Sequence, residues 1–424
     1  MSMTANNNGS LRYSPISGEQ LDSFSRTYPQ GNFQQSLDMA RHVTNTGRIA
    51  DYMGVWRGEE LVGATEIVYT RSRFGLEGSV WLGPLCDPDD ADVLKTMTDA
   101  IRDSARRHKA IKVTAWPCAV YCRRDSEGNP VGSADDALVE NYKALGWRHA
   151  GFTRGYGSVI NRWVYVKDLA GIADEKALLK SYDKRTQWSV KRASSMGVHV
   201  REIGEDELNV FSEIERQTAN RRNFAARDEQ YFHQFKHAFG DDVHYMLAEI
   251  HIAEYVADMQ RKREALQAKV ANLQTKYDEH PTTRTERQLG EEQRNLAAAE
   301  KRLAEAAEFA KGGDVLPAAA SMFVDHPQER VYLFSGSIEQ YKPFYASALI
   351  QHVAMTQCLE RGITRYNFYG ISGVFDDPDD EGRGVLEFKQ GFNGYVEELP
   401  GEFTLDVNPF MCAVSRLVHK LLNR

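Results

Sequence analysis

Between Ile252 and Tyr277 the apolar side chains step by four and three without a slip: Ile252, Val256, Met259, Leu266, Val270, Leu273 and Tyr277, with Arg263 the one intruder. A repeat of about 3.5 residues is the seam of a coiled coil, because it keeps one helical stripe facing a partner helix. The breaker-rich turn Asp278-Glu279-His280-Pro281-Thr282-Thr283 follows, and beyond it Leu289, Leu296, Leu303 and Ala310 recur every seven. Two helices joined by so short a turn form an antiparallel hairpin. Each arm is roughly 35–40 Å long at about 1.5 Å per residue. Residues 245–250 and 318–324 on either side read as strands. The hairpin, residues 252–317, is therefore an insertion between neighbouring strands, and it projects from a globular body.

That body has a mixed α/β pattern. Residues 51–56 and 61–69 are rich in β-formers around the turn Arg57-Gly58-Glu59-Glu60. Residues 90–108 carry Val93, Leu94, Met97, Ala100, Ile101 and Ala105 at helical spacing, and 111–116 is a short strand. A helix at 135–145 stops at Gly146, and a strand follows at 147–152. A similar order returns later. A strand at 162–166 leads to a helix at 174–196 ending at Gly197, an extended stretch at 198–203 and a helix at 206–220. A helix at 344–361 then stops at Gly362 before a strand at 364–369. The recurrence of helix, glycine stop and aromatic-bearing strand suggests a duplicated α/β domain. The expected units are 11–160 and 161–251 with 318–403. Residues 404–424 remain as a C-terminal amphipathic helix, with Met411, Val414, Leu417, Val418 and Leu421 set against Arg416, Lys420 and Arg424. That helix could pack on the body or rest on a membrane surface.

Of the 424 residues 42% are hydrophobic and 26% charged, which excludes a disordered or collagen-like chain. The first dozen residues are polar, and no apolar run approaches the roughly 18–20 residues of a membrane helix. A cytoplasmic protein is expected. The five cysteines are odd in number, and Cys118 and Cys122 have no second pair to complete a zinc spacing, so reduced thiols and no metal are expected. A net charge of −8 argues against broad nucleic-acid binding, so an RNA partner would need a local basic patch.

Three stretches could carry chemistry. In Lys184-Arg185-Thr186-Gln187-Trp188-Ser189-Val190-Lys191-Arg192, a helix sets Lys184, Trp188, Lys191 and Arg192 on one face, which suits phosphates and a stacked base. The alternative is a solvated basic face with Trp188 in the core. In the second stretch, residues 218–232, Arg221, Arg222 and Arg227 precede Tyr231, and one helical turn could present Arg227 and Tyr231 to a single anionic ligand. A salt-bridged surface is the alternative. The third runs from Tyr366-Asn367-Phe368-Tyr369-Gly370-Ile371, across the acidic loop Asp376-Asp377-Pro378-Asp379-Asp380, to Gly382-Arg383-Gly384-Val385-Leu386-Glu387-Phe388-Lys389-Gln390-Gly391-Phe392. A strand end, a loop and a lysine among aromatics could make a site floor; core packing is the alternative.

These stretches, in this order, resemble the Fem family (FemABX type) of peptidoglycan bridge aminoacyltransferases over about residues 11–403. The run from Tyr366 to Phe392 is the most specific part. The resemblance implies two acetyltransferase-like (GNAT-like) α/β domains with a helical hairpin in the second. It implies aminoacyl-tRNA as co-substrate, with no other cofactor. The acceptor it implies is the side-chain amine of a stem peptide on lipid II or a UDP-MurNAc-peptide. Phe388 and Lys389 match the family's catalytic pair, and Arg227 and Tyr231 match positions that hold the precursor's diphosphate. Arg222, Tyr369 and Gly370 are expected beside the substrate, and Lys184, Arg185, Trp188, Lys191 and Arg192 on the tRNA. Two departures stand out. The usual Tyr-Asp-Phe-x-Gly has Asn367 in place of the aspartate. After Gln35-Ser36, Met39 and Val43 stand where a tryptophan and a lysine are usual.

The chemistry so implied is aminolysis of an ester, with Lys389 stabilising the tetrahedral oxyanion. The base is not identifiable. There is no Ser-His-Asp arrangement, and among the twelve histidines His42, His233 and His352 read as structural. An acetyl-CoA enzyme would need a pyrophosphate loop opening a helix, which is missing. A non-catalytic scaffold for bridge enzymes is the rival from another class. The hairpin could bind tRNA, a partner protein or a second copy, or serve as packing; its basic residues are nearly balanced by acidic ones.

Overall fold

A computed structural model describes residues 9–157, 159–222 and 224–422, and in it the strands form two mixed sheets. The first sheet runs Leu11–Pro15, Ile49–Arg57, Glu60–Ser72, Gly75–Trp81, Ala110–Trp116, Phe403–Asp406, Arg148–His149. Against it lies the helix Ala91–Arg107. Asp90 caps that helix by accepting from the Val93 amide at 3.0 Å. The expected apolar stripe is buried in full. The expected strand at 147–152 is only Arg148–His149, because its partner offers two paired positions before Gly151 turns the chain at φ 94°.

The second sheet runs Val198–Glu202, Val243–His251, Val315–His326, Glu329–Ser337, Arg365–Gly370, Trp163–Asp168, Tyr395–Glu398, Cys122–Arg124. The sheets thus exchange strands across the division expected at 160/161 and 403/404. Cys122–Arg124 edges the second sheet, and Phe403–Asp406 enters the first. The C-terminal helix accordingly begins at Pro409 rather than 404. The expected helix 174–196 is two, Glu175–Lys180 and Lys184–Ser195, because Asp183 caps the second by accepting from the Thr186 amide at 2.6 Å. An apolar cluster joins the two units: Phe33, Met39, Val43 and Val68 of the first pack with Phe232, Phe235, Tyr245 and Val324 of the second. Each such side chain stabilises the seam by roughly 1.5–3 kcal/mol.

Helices Ile252–Glu279 and Thr283–Phe309 form the hairpin, leaving one strand of the second sheet and returning into its neighbour. Ile252, Tyr255, Met259, Leu289, Ala299 and Ala306 are buried between the arms or on the body, and Lys269 bridges to Glu292 at 2.5 Å. Arg263 keeps its place in the seam, its Nε buried without a partner. Ala310 falls beyond the helix end and is exposed, because Phe309 turns onto Tyr341 and Phe344.

The two units differ at one decisive place. In the first, Gly75–Trp81 pairs in parallel with Ala110–Trp116 from Leu76↔Ala110 to Trp81↔Trp116. In the second, the corresponding parallel strands Glu329–Ser337 and Arg365–Gly370 register only at Arg330↔Tyr366 and Val331↔Asn367, then part. Just past the split Tyr369 holds φ at 63°, a left-handed conformation costing about 1–3 kcal/mol for a residue with a side chain. Asn367 holds the kink from both sides. Its Oδ1 accepts from the Tyr369 amide at 2.8 Å, and its Nδ2 donates to Glu329 Oε2 at 3.0 Å. An aspartate here would turn a carboxylate toward Glu329. Asn367→Asp is therefore expected to lower unfolding stability by about 1–3 kcal/mol at neutral pH, measured by urea denaturation.

Candidate active site

Where the strands part, a cleft of about 750 Å³ opens in the second unit. Its floor is the helix Arg383–Gln390, which carries Phe388 and Lys389. The Lys389 ammonium donates to the Gly370 carbonyl at 2.6 Å and to the Tyr369 carbonyl at 3.4 Å. It is 4% exposed and has no ion pair with a carboxylate among the described residues. Burial alone pulls its pKa down to about 7. Phe388 stands edge-on to Phe392 at 5.4 Å, which fixes the ring beside the lysine. Gly370 is required for space, since a Cβ there would overlap the Asn161 side chain. The acidic loop before the helix is tied down: Asp380 accepts from Ser372 Oγ at 2.8 Å and from the Gly382 amide at 2.9 Å.

The helix Lys184–Ser195 forms one wall and presents Arg185, Thr186 and Ser189. It is locked to the floor because the Asp183 amide donates to the Gly391 carbonyl at 2.9 Å. Gly391 also leaves room that Thr186 fills. Lys184, Arg185 and Lys191 are exposed and Arg192 half-buried. Trp188 is not core: it is 52% exposed and meets Tyr345, a residue of the cleft, edge-on at 5.1 Å. An indole and cations thus stand at the mouth.

The opposite wall is the helix Leu208–Arg222, pressed so closely on the strand end that a Cβ at Gly336 would lie 2.5 Å from the Ile214 carbonyl. It brings Glu215, Thr218, Arg221 and Arg222 to the cleft. Arg221 is occupied by the Ser337 carbonyl at 3.1 Å and Glu339 at 3.2 Å, whereas Arg222 is exposed. Glu215 escapes a reading by motif. It is 1% exposed, one of its carboxylate oxygens has no partner, and burial lifts its pKa to about 7 against the opposing charge of Arg227. Helical spacing carries the missing signal, since Glu215 falls in one stripe with Phe211, Ile214 and Ala219.

Arg227 and Tyr231 do not line this cleft. The Arg227 guanidinium lies over the Tyr231 ring at 5.1 Å. That ring packs on His42 of the first unit at 5.2 Å and on Phe334, a cleft residue, at 5.8 Å. They mark a second position, at the seam between units and behind the cleft wall. Tyr369 borders both the cleft and a smaller cavity of about 260 Å³ that reaches Glu329, Arg365 and Glu397. Away from the cleft, at the foot of the hairpin, His199, His251 and Glu254 bring ligand-type atoms within 4.8 Å of one another. Glu254 there already pairs with His199 at 2.8 Å.

Residues 16–420 match the model of the FemAB family. Aminoacyltransferase FemB of Staphylococcus epidermidis is 30% identical over 328 residues, covering 77% of this chain and 78% of that one. Aminoacyltransferase FemA of the same species is 28% identical over 345 residues, covering 80% and 82%. Among solved structures, FemX superposes with a TM-score of 0.74 at 22% identity, over 95% of this chain and 99% of that one. The mixed α/β fold with its two sheets is that of FemX, and by the extent of these matches the chain belongs to the FemAB family.

Proposed function

We propose that this protein transfers an aminoacyl group from aminoacyl-tRNA to the side-chain amine of a peptidoglycan stem peptide, building an interpeptide bridge by direct aminolysis. The Lys389 ammonium carries the reading: it is buried in a cleft, faces backbone carbonyls, and has no carboxylate partner among the described residues. The names of the FemA and FemB relatives support an aminoacyltransferase in kind. As an amine adds to the ester carbonyl, negative charge gathers on its oxygen. A fixed, buried cation stabilises that charge more in the transition state than in the ground state. Phe388 keeps water from the lysine.

Arg227 and Tyr231 at the seam would seat the diphosphate of a nucleotide- or lipid-linked precursor, the guanidinium pairing with its oxygens. The stem peptide would then reach past Phe334 toward Lys389. Arg222, Tyr369 and Gly370 would border the acceptor. Lys184, Arg185, Lys191 and Arg192 would hold tRNA phosphates, with Trp188 offering a face for a terminal base. No helix among the described residues is long and apolar enough to cross a membrane. The C-terminal helix is held by buried Cys412 and leaves Phe410 and Leu417 exposed, an apolar face that would rest on the membrane where a lipid-linked acceptor lies. The hairpin is free to meet a second copy or another bridge enzyme.

Purified protein, charged tRNA pools and nucleotide- or lipid-linked precursor, followed by mass spectrometry of the product, test this directly. No mass increment from any charged tRNA would refute it. Lys389→Ala is expected to lower kcat about 10²–10³-fold; unchanged bridge formation in cells would favour the scaffold reading. Because the charged lysine holds the oxyanion, kcat is expected to fall as pH rises past about 7. Trp188→Ala is expected to raise KM for aminoacyl-tRNA roughly 5- to 150-fold, the equivalent of about 1–3 kcal/mol of stacking, with kcat much less affected.

A further inference from the structure

We propose that Glu215 is the base that accepts the proton of the attacking amine. The proposal rests on the aminoacyl-transfer reading and names a group which that reading leaves open. A lysine-type amine has a pKa of about 10.4 in water and arrives as an ammonium with no lone pair to attack. Lys389 in the charged form that the reading uses for the oxyanion has no lone pair with which to take that proton. Most other ionisable groups of the cleft are excluded by chemistry or by occupation. Arg185, Arg221, Arg222 and Lys342 are cations. Asp183 is spent on capping the Thr186 amide at 2.6 Å, and Glu387 is exposed and paired with Arg383 at 2.8 Å. Among the described residues lining the cleft, Glu215 is the carboxylate that is both buried and left with an unpartnered oxygen.

Its surroundings suit the role. Glu215 sits on a wall pressed against Gly336, whose close approach to the Ile214 carbonyl and Glu215 amide sets its backbone position. Lys389, Arg185, Lys342, Tyr332 and Tyr345 border the cleft with it, Arg221 and Arg222 share its helix, and Arg227 partly offsets the effect of burial. A carboxylate whose proton affinity lies near neutrality can take a proton at pH 7 and release it afterwards. The step balances. One proton of the ammonium passes to a Glu215 oxygen, and the freed nitrogen lone pair forms a bond to the ester carbonyl carbon. As the carbon–oxygen bond to the ribose breaks, the second proton leaves the nitrogen for the departing oxygen. The products are an amide and a ribose hydroxyl, and Glu215 returns its proton to solvent.

The test is kcat against pH for wild type, Glu215→Gln and Glu215→Ala, with a charged tRNA pool and the nucleotide-linked muropeptide. The wild type is expected to show an acidic limb that falls below about pH 7. Glu215→Gln is expected to lose 10²–10⁴-fold in kcat together with that limb, while the exposed neighbour variant Glu213→Gln keeps both. Formate is expected to restore part of the rate of Glu215→Ala and none to Glu215→Gln. A folding defect is separated by melting temperature. Because the folded-state pKa of Glu215 is raised, the wild type bears the cost of ionising it above about pH 7. Glu215→Gln should therefore melt at least as high as wild type at pH 8, with the difference vanishing near pH 4. Wild-type rate and an intact acidic limb in Glu215→Gln would overturn the assignment. A wild type that makes no product would instead overturn the transfer reading beneath it.

Discussion

Two parallel strands that stop pairing after Val331 and Asn367 are the constraint on which the site depends. Strands that part leave a gap in the sheet and backbone carbonyls that must find other donors, since buried polar groups are rarely left unpaired. Lys389 supplies a donor, reaching the Gly370 and Tyr369 carbonyls from the helix below. Carbonyls are weak partners for an ammonium compared with a carboxylate. They orient the ammonium without neutralising it, so burial is free to depress its pKa. The same split explains the left-handed Tyr369 and the need for Asn367. The strained residue persists because a side-chain amide grips it and Glu329 together.

What could be read from sequence follows the range of the interactions involved. The hairpin was legible because its seam repeats over many turns, and the helix Ala91–Arg107 because its stripe and Asp90 cap are local. The strand exchange was not. Cys122–Arg124 and Phe403–Asp406 are too short to carry a period, and their partners are distant in the chain. The helix Arg383–Gln390 has no helical signal of its own in the sequence, where glycines bracket it; in the fold its Leu386 and Lys389 are buried. Lys389 and Phe388 were nameable from the order of motifs, whereas their surroundings were not. Trp188 could be placed on a basic face, but only the fold puts it outside, beside Tyr345. Glu215 lacked a motif altogether, since an acidic residue in an apolar stripe gains meaning only once the fold shows one of its oxygens buried without a hydrogen-bond partner among the described residues.

The net charge of −8 is compatible with the proposed anionic partners through segregation rather than balance. Arg185, Arg221, Arg222 and Lys342 gather on the cleft walls, with Lys184 and Lys191 on the exposed face of the adjoining helix. The acidic run at Asp376 to Asp380 is held back by bonds to Ser372, Gly382 and Arg154. Arg227 and Tyr231 lie a wall away, behind Phe334. That separation suits an acceptor whose anionic anchor and reacting amine are far apart along one molecule. An acceptor with anchor and amine adjacent would need both positions in a single cavity.

The cleft holds two groups that burial pushes toward neutrality from opposite sides, Glu215 upward and Lys389 downward. Had they been paired, each charge would have supported the other, and neither would shift that way. On the proposed reaction, partners for both groups arrive with the substrates. An incoming ammonium favours the ionised Glu215, and the oxygen charge that grows during attack favours the protonated Lys389. Each group is thus best satisfied when both substrates are present and the bond is forming. On that reaction, the burial that disfavours both charges in the protein alone would make the cleft complementary to the transition state rather than to either substrate.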